Sequence, residues 1–211
     1  MLRHLLASTI LLTLFGISGA GLVAFVHSTT DERIAANERQ ALLAQLNTIV
    51  PADQYDNDLA TDTLTLDASA LGQQPVTVYR ARRDGEPVAA IFNLAAAGYA
   101  GPIDMLVGIR TSGELAGVRV VSHTETPGLG DLIEAERADW ILQFEGLSLG
   151  NPPAEQWGVK RDGGEFDQFT GATITPRAVV GAIKQALLYF RDHRQALFAQ
   201  QATDNTEESA T

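Results

Sequence analysis

The stretch Asp167-Gln168-Phe169-Thr170-Gly171-Ala172-Thr173-Ile174-Thr175-Pro176 places three threonine hydroxyls around two small residues, just ahead of an apolar helical stripe. Proline is favoured at the first position of a helix and threonine at the residue before it, so this pair predicts a helix start with Thr175 as N-cap. Thr173 then lies just outside the helix N-terminus, where unpaired N–H groups and the helix dipole attract an anion. Gly171 and Ala172 leave room for backbone to approach a ligand. A phosphate on the Thr173 oxygen would meet donors there. Spacing alone supports a bound phosphate, a phosphorylated side chain or a plain helix-capping turn, and does not choose among them.

A second loop, Glu125-Thr126-Pro127-Gly128-Leu129-Gly130, is rich in Gly and Pro and runs straight into Asp131. It reads either as a ligand-lining loop or as a tight strand-to-helix turn. Gly128 and Gly130 hint at a dinucleotide fingerprint, but the third glycine is missing and no parallel βαβ unit surrounds them. Lys160 lies shortly before the threonine stretch, where its ammonium would neutralise a phosphate or simply face solvent. The histidines, His4, His27, His123 and His193, have no metal-ligand spacing. His123 adjoins the Glu125 loop, where it would either touch a ligand held there or, the favoured reading, stand as a solvated loop residue.

The elements that must position these residues follow from periodicity. Val76 to Ala81 alternates, Asp84-Gly85 supplies a hairpin turn, and Val88 to Leu94 returns. Ile103 to Ile109, Ser112-Gly113 and Leu115 to Val121 repeat the pattern. Asp131 to Phe144 predicts a helix with Asp131 as N-cap and Leu132, Ile133, Trp140, Ile141 and Phe144 available for burial. Trp157 to Lys160 is a short strand candidate. From Pro176 to about Ala199, Val179, Val180, Ile183, Leu187 and Phe190 form one apolar stripe. Hairpins first and helices later predict an α+β fold: an antiparallel sheet with packed helices, preceded by one N-terminal transmembrane helix. No internal repeat of useful length is present.

No residue from Leu5 to Val26 is charged. As a helix this run rises roughly 33 Å, close to the ~30 Å hydrocarbon core of a bilayer. Arg3 and His4 precede it and Asp31 and Glu32 follow, an arrangement that puts the start of the chain in the cytoplasm and the rest outside. A cleaved secretory signal is the competing reading, since Ser18 to Ala24 is rich in small residues; both export the domain. Asp31 to Ile49 predicts an amphipathic helix through Ile34, Leu42, Leu46 and Ile49, stopped by Pro51, and Ala52 to Asp62 reads as a polar connector. The expected organisation is an anchor (1–28), a stalk helix and connector (29–62), a folded domain (63–200) and a disordered acidic tail (201–211). The net charge of -11 argues against nucleic acid. The absence of cysteine excludes disulfides, thiolate catalysis and cysteine-ligated clusters.

Asp167, Thr170, Gly171, Ala172 and Thr173 match the D-x-x-[ST]-G-A-[ST] pattern of the FMN-binding domain family, which this chain resembles. The resemblance implies that Thr173 is esterified to the phosphate of FMN by a dedicated flavin transferase using FAD as donor. It makes Asp167 and Thr170 part of the sequence that the transferase reads. It also implies that Glu125, Thr126, Gly128, Leu129 and Gly130 line the flavin pocket, with Leu129 against the ring system, and that Lys160 lies near the flavin.

The order of anchor, stalk, Glu125 loop, Lys160, Thr173 motif and final helix is similar to that of G subunits of Rnf/Rsx electron-transport complexes. C subunits of sodium-translocating NADH:quinone reductases share it in less detail. The resemblance covers Met1 to Gln200 and implies an electron-relaying subunit in a bacterial inner membrane, its folded domain in the periplasm. NAD and cluster chemistry would then belong to other subunits of the complex. The rival from another class is a membrane-anchored FMN-binding sensory ectodomain, disfavoured by the short anchor without an output domain. A purely structural ectodomain is disfavoured by the intact Thr173 motif.

Overall fold

The computed structural model describes residues 2–67, 71 and 75–199, so the acidic tail lies outside the described residues. The chain divides into two compact units, Met1–Ala44 and Gln45–Thr211. The first unit is almost entirely helix α1 (Leu2–Asn47), which crosses the boundary. The apolar run and the amphipathic one thus share a single helix instead of forming two. Leu6–Phe25, 20 residues, is long and apolar enough to cross a membrane, about 30 Å of helix. Its Leu11, Leu12, Phe15 and Val23 side chains stay exposed, as lipid-facing residues must. The Thr13 hydroxyl donates to the Thr9 carbonyl at 2.8 Å, so this polar group is satisfied within the helix.

In the second unit, five antiparallel strands form a meander in chain order: β1 (Thr63–Leu66), β2 (Val76–Arg83), β3 (Glu86–Ala97), β4 (Pro102–Arg110) and β5 (Leu115–Ser122). Turn chemistry sets the register. Asp84 and Gly85 have φ of 53° and 80°, the left-handed pair that suits a two-residue hairpin between right-twisted strands. One face packs on helix α2 (Ile174–Phe198), whose Val179, Val180, Ile183, Leu187 and Phe190 are buried in one cluster with Val78, Phe92, Met105 and Val107. Each such side chain contributes about 1.5–3 kcal/mol when fully buried. The other face is covered as well. Leu46, Ile49, Val50 and Leu59 are buried there, and Ile49 occupies the space that a Cβ on Gly108 would need. Burial on both faces explains why Ala89, Ala90, Ile91 and Phe92 are all inaccessible, where a sheet with one wet face would alternate.

The end of α2 is tied to β2 by charge. Arg80 and Arg82 both bond Asp62, and they also donate to the Ala199 and Phe198 carbonyls at 3.0 Å. Cations at a helix C-terminus complement its dipole.

Between β5 and α2 the chain is irregular, and here three expectations are corrected. Asp131 to Phe144 is two 3-10 helices, Asp131–Ile133 and Asp139–Phe144, separated by an extended Ala138. Local side-chain bonds compete with a helix: Asp131 accepts from the Gly128 N–H at 2.7 Å, and Glu134 is taken by His123. Asp131 is therefore not an N-cap; Gly130 holds that position. In the strand expected at Trp157 to Lys160, only Val159 forms a bridge, to Phe166, and Lys160–Asp162 is a 3-10 helix.

Aromatic rings hold this segment together. Phe144 lies 5.2 Å from Trp140 and 4.8 Å from Phe166, Trp157 lies 5.0 Å from Phe166, and Trp140 lies 5.1 Å from Phe169. The Trp140 indole also donates to the Asp167 carbonyl at 2.9 Å. The cluster thus ends on both sides of Gln168, immediately ahead of Thr170.

Candidate functional site

Helix α2 starts one residue after Thr173, which occupies the N-cap position with no capping bond from its side chain. Thr175 is therefore not the N-cap; it is the second helical residue and is wholly buried. Its hydroxyl donates to Glu125 Oε2. Pro176 remains in the first turn, where a missing N–H costs no intrahelical bond. The two threonines thus separate by environment: one hydroxyl is held in the core, while the other is half-buried and not used for capping.

Glu125 is the node of the site. Its carboxylate is 5% exposed and accepts from both the Thr175 hydroxyl and the Ala100 N–H, the latter at 3.0 Å. It therefore joins the β3–β4 turn, its own loop and the start of α2. Buried carboxylates are tolerated only when their oxygens are satisfied, and these two are. The fit is close: a Cβ on Gly130 would lie 2.8 Å from both Glu125 Cβ and Oε2. The Glu125 N–H donates to His123 Nδ1 at 3.0 Å, so the ring proton sits on Nε2, 2.9 Å from Glu134 Oε1. His123 is a partly buried brace for the loop, where a solvated ring is the expectation from sequence.

A cavity of about 290 Å³ opens beside this node, near the lower end of the size of small-ligand sites. Tyr99, Glu125, Thr126, Leu129, Gly130, Gly171, Ala172, Thr173, Ile174 and Thr175 line it. Among the described residues outside α1, the exposed large apolar side chains are Tyr99, Val121, Leu129 and Ile174, and all but Val121 face this cavity. Apolar walls left open beside a helix N-terminus suit a ligand with a flat apolar body and an anionic end. FMN fits that description. Gly171, at φ 85°, provides the left-handed turn that brings Ala172 and Thr173 to the rim.

Sequence reasoning brings Glu125, Thr126, Leu129, Gly130, Gly171, Ala172 and Thr173 to one place, and the structure gathers them around the cavity. Gly128, Lys160, Asp167 and Thr170 do not line it. Gly128 has φ of 77° and turns the loop. Lys160 and Asp167 pair with each other at 2.8 Å on the exterior, a bond that raises the lysine pKa above its ordinary value. Thr170 is exposed beside them. Arg177 clamps Asp162 in a two-pronged pair at 2.6 and 2.8 Å, which lowers the Asp162 pKa and ties the 160–162 turn to the first turn of α2. Tyr99 and Ile174 escape the sequence reading. The Gly98-Tyr99-Ala100-Gly101 turn carries a signal, an aromatic residue at a hairpin tip between small residues.

The chain is similar to known proteins over nearly its whole length. The FMN-binding domain family matches residues 98–188, and the RnfG N-terminal region matches residues 1–49. The G subunit of the ion-translocating oxidoreductase complex of Shewanella baltica is 46% identical over 202 residues, covering 94% of this chain and 95% of that one. Its counterpart of the same name from Pseudomonas aeruginosa is 46% identical over 200 residues, covering 93% and 94%. A solved structure of the C subunit of the Na+-translocating NADH-quinone reductase from Parabacteroides distasonis aligns with TM-score 0.42 and 22% identity, over 69% of this chain and 72% of that one, too distant to argue from. The relatives span nearly the whole chain at high identity, and on that ground the chain belongs to the family of ion-translocating oxidoreductase complex G subunits.

Proposed function

We propose that this chain is the electron-carrying subunit of a membrane-bound, ion-translocating redox complex and holds FMN through a phosphoester on Thr173. The observation that carries the reading is the Thr173 side chain. It lines the open cavity, makes no capping bond, and stands at the N-terminus of a 25-residue helix. The first-turn N–H groups have no carbonyl four residues back, so they are free to face a phosphate. In forming the ester, Thr173 Oγ1 replaces its proton by a bond to phosphorus. The pyrophosphate P–O bond of FAD breaks, and AMP leaves with the proton. FMN supplies redox chemistry at this site when bound.

The remaining residues fall into two groups. Glu125, Thr175 and the Gly130 backbone hold the cavity floor, with Leu129 on one wall. Asp167 and Thr170, both exposed, belong to the sequence that the flavin transferase reads, and Lys160, paired with Asp167, lies near the flavin phosphate. The Leu6–Phe25 span anchors the protein, with Arg3 on the cytoplasmic side and the folded domain in the periplasm. Residues 1–28 are the anchor, 29–62 the stalk and connector, and 63–200 the flavin domain. The other subunits of the complex supply and remove the electrons.

The test is expression with the transferase, followed by denaturing electrophoresis and ultraviolet imaging. A fluorescent band is expected for the wild type, none for Thr173→Ala, and at least part of the signal for Thr175→Ala. A dark wild-type band would defeat the attachment. Loss of signal in Thr175→Ala with signal retained in Thr173→Ala would move the attachment to Thr175. Removing the subunit should stop electron transfer through the membrane complex.

A further inference from the structure

Tyr99 is 72% exposed, an unusual setting for a large aromatic ring, yet its backbone is among the most constrained in the site. It sits at the tip of the β3–β4 turn, closed by the Gly98 N–H donating to the Gly101 carbonyl at 2.9 Å. The Ala100 N–H is held by buried Glu125. Neither glycine has room for a side chain: a Cβ on Gly98 would lie 2.7 Å from the Gly101 carbonyl oxygen and 2.8 Å from Ile103 Cδ1, and one on Gly101 would lie 2.5 Å from Thr124 Oγ1. A turn locked on both flanks fixes the backbone from which the Tyr99 side chain projects before any ligand arrives. The Tyr99 ring borders the cavity on which Leu129, Ile174 and Thr173 also open.

Resting on the proposed attachment of FMN, we infer that Tyr99 is a wall of the ring site, contacting the isoalloxazine from the β3–β4 turn. An aromatic face left in water gains by covering a flat apolar partner, and a ring with two side-chain torsions on a fixed backbone loses little freedom in doing so. The hydroxyl end of tyrosine remains in solvent, which suits a site open on that side. A further consequence is optical. A phenol in contact with a flavin donates an electron to its excited state and quenches emission, which phenylalanine does not do.

The experiment uses the full chain, matured with its transferase and kept in detergent. Native flavin emission is compared with emission after denaturation, and iodide serves as a collisional quencher. Tyr99→Phe is expected to raise native emission several-fold without changing the bimolecular iodide quenching constant (the quenching slope divided by the lifetime), because the ring still shields the flavin. Tyr99→Ala should raise emission and increase iodide quenching. Denatured emission per chain should be the same in all three proteins. Native emission and iodide quenching unchanged in both variants would overturn the assignment while leaving the attachment intact. A wild-type chain with no flavin after denaturation would overturn both.

Discussion

The sheet and the segment between β5 and α2 solve the same problem by different means. From Val76 to Ser122, backbone ladders fix the chain, and side chains fill the two faces that the ladders present. From His123 to Thr173, among the described residues, there is neither an α-helix nor a named strand. Position is set there by rings and by side chains bonding backbone: Trp140 to Asp167, Glu125 to Ala100, Asp131 to Gly128. The comparison teaches where function can be placed. A ladder leaves no backbone free to face a ligand, whereas a segment held by side chains leaves its N–H groups and small residues at the surface.

Large truncations on each side should separate scaffold from site. Phe144→Ala and Phe92→Ala both remove wholly buried rings, and each should lower stability by about 3–5 kcal/mol. Urea unfolding of the full chain in detergent measures that. The two should differ in flavin loading of the folded fraction. Phe144→Ala loosens the cluster that ends at Phe169 and should load poorly, while Phe92→Ala should load normally. Equal loading would show that the aromatic cluster does not position the motif.

A smaller effect is expected at the node. Thr175→Val leaves one oxygen of buried Glu125 without its donor, a loss of about 1–3 kcal/mol. Loading should slow as the first turn of α2 loosens, and Thr175→Ser should restore both. Failure of serine to rescue would mean that the methyl group, not the hydroxyl, is what matters.

The smallest effect is on the exposed Arg177–Asp162 pair. The folded pKa of Asp162 lies below its ordinary value of 3.8, because the Arg177 hydrogen bond favours the charged form. Its contribution is therefore present above that value and disappears as pH falls through the folded pKa. Wild type and Asp162→Asn should melt apart at pH 7, with the difference shrinking as pH falls below 3.8 and, at pH 7, as salt is raised. A difference that does not shrink on acidification would assign the effect to something other than the charge.

The same contrast governs what is legible in the sequence. Asp84-Gly85 between alternating stretches announces a hairpin, and the 176–190 stripe announces a helix, because ladders and helices impose a period on the residues that fill them. β1 escapes notice, since four residues at a sheet edge carry too little pattern. The helix expected over 131–144 shows the reverse error. Ile133, Ile141 and Phe144 are buried as their spacing suggests, but bonds from Asp131 and Glu134 to other loops hold the chain in short turns. At the site, Thr173 and Glu125 are legible as parts of motifs. The Glu125–Thr175 bond spans 50 residues and has no local signature, so Thr175 reads as a cap. The bracing role of His123 is hidden for the same reason.

The most direct test of the central claim is the intact mass of the mature chain, purified from cells where the transferase is active. The expected mass exceeds that of the polypeptide by one FMN less one water, and the addition maps to the peptide containing Thr173. An unmodified chain, or the same addition mapped to Thr170 or Thr175, would contradict the account.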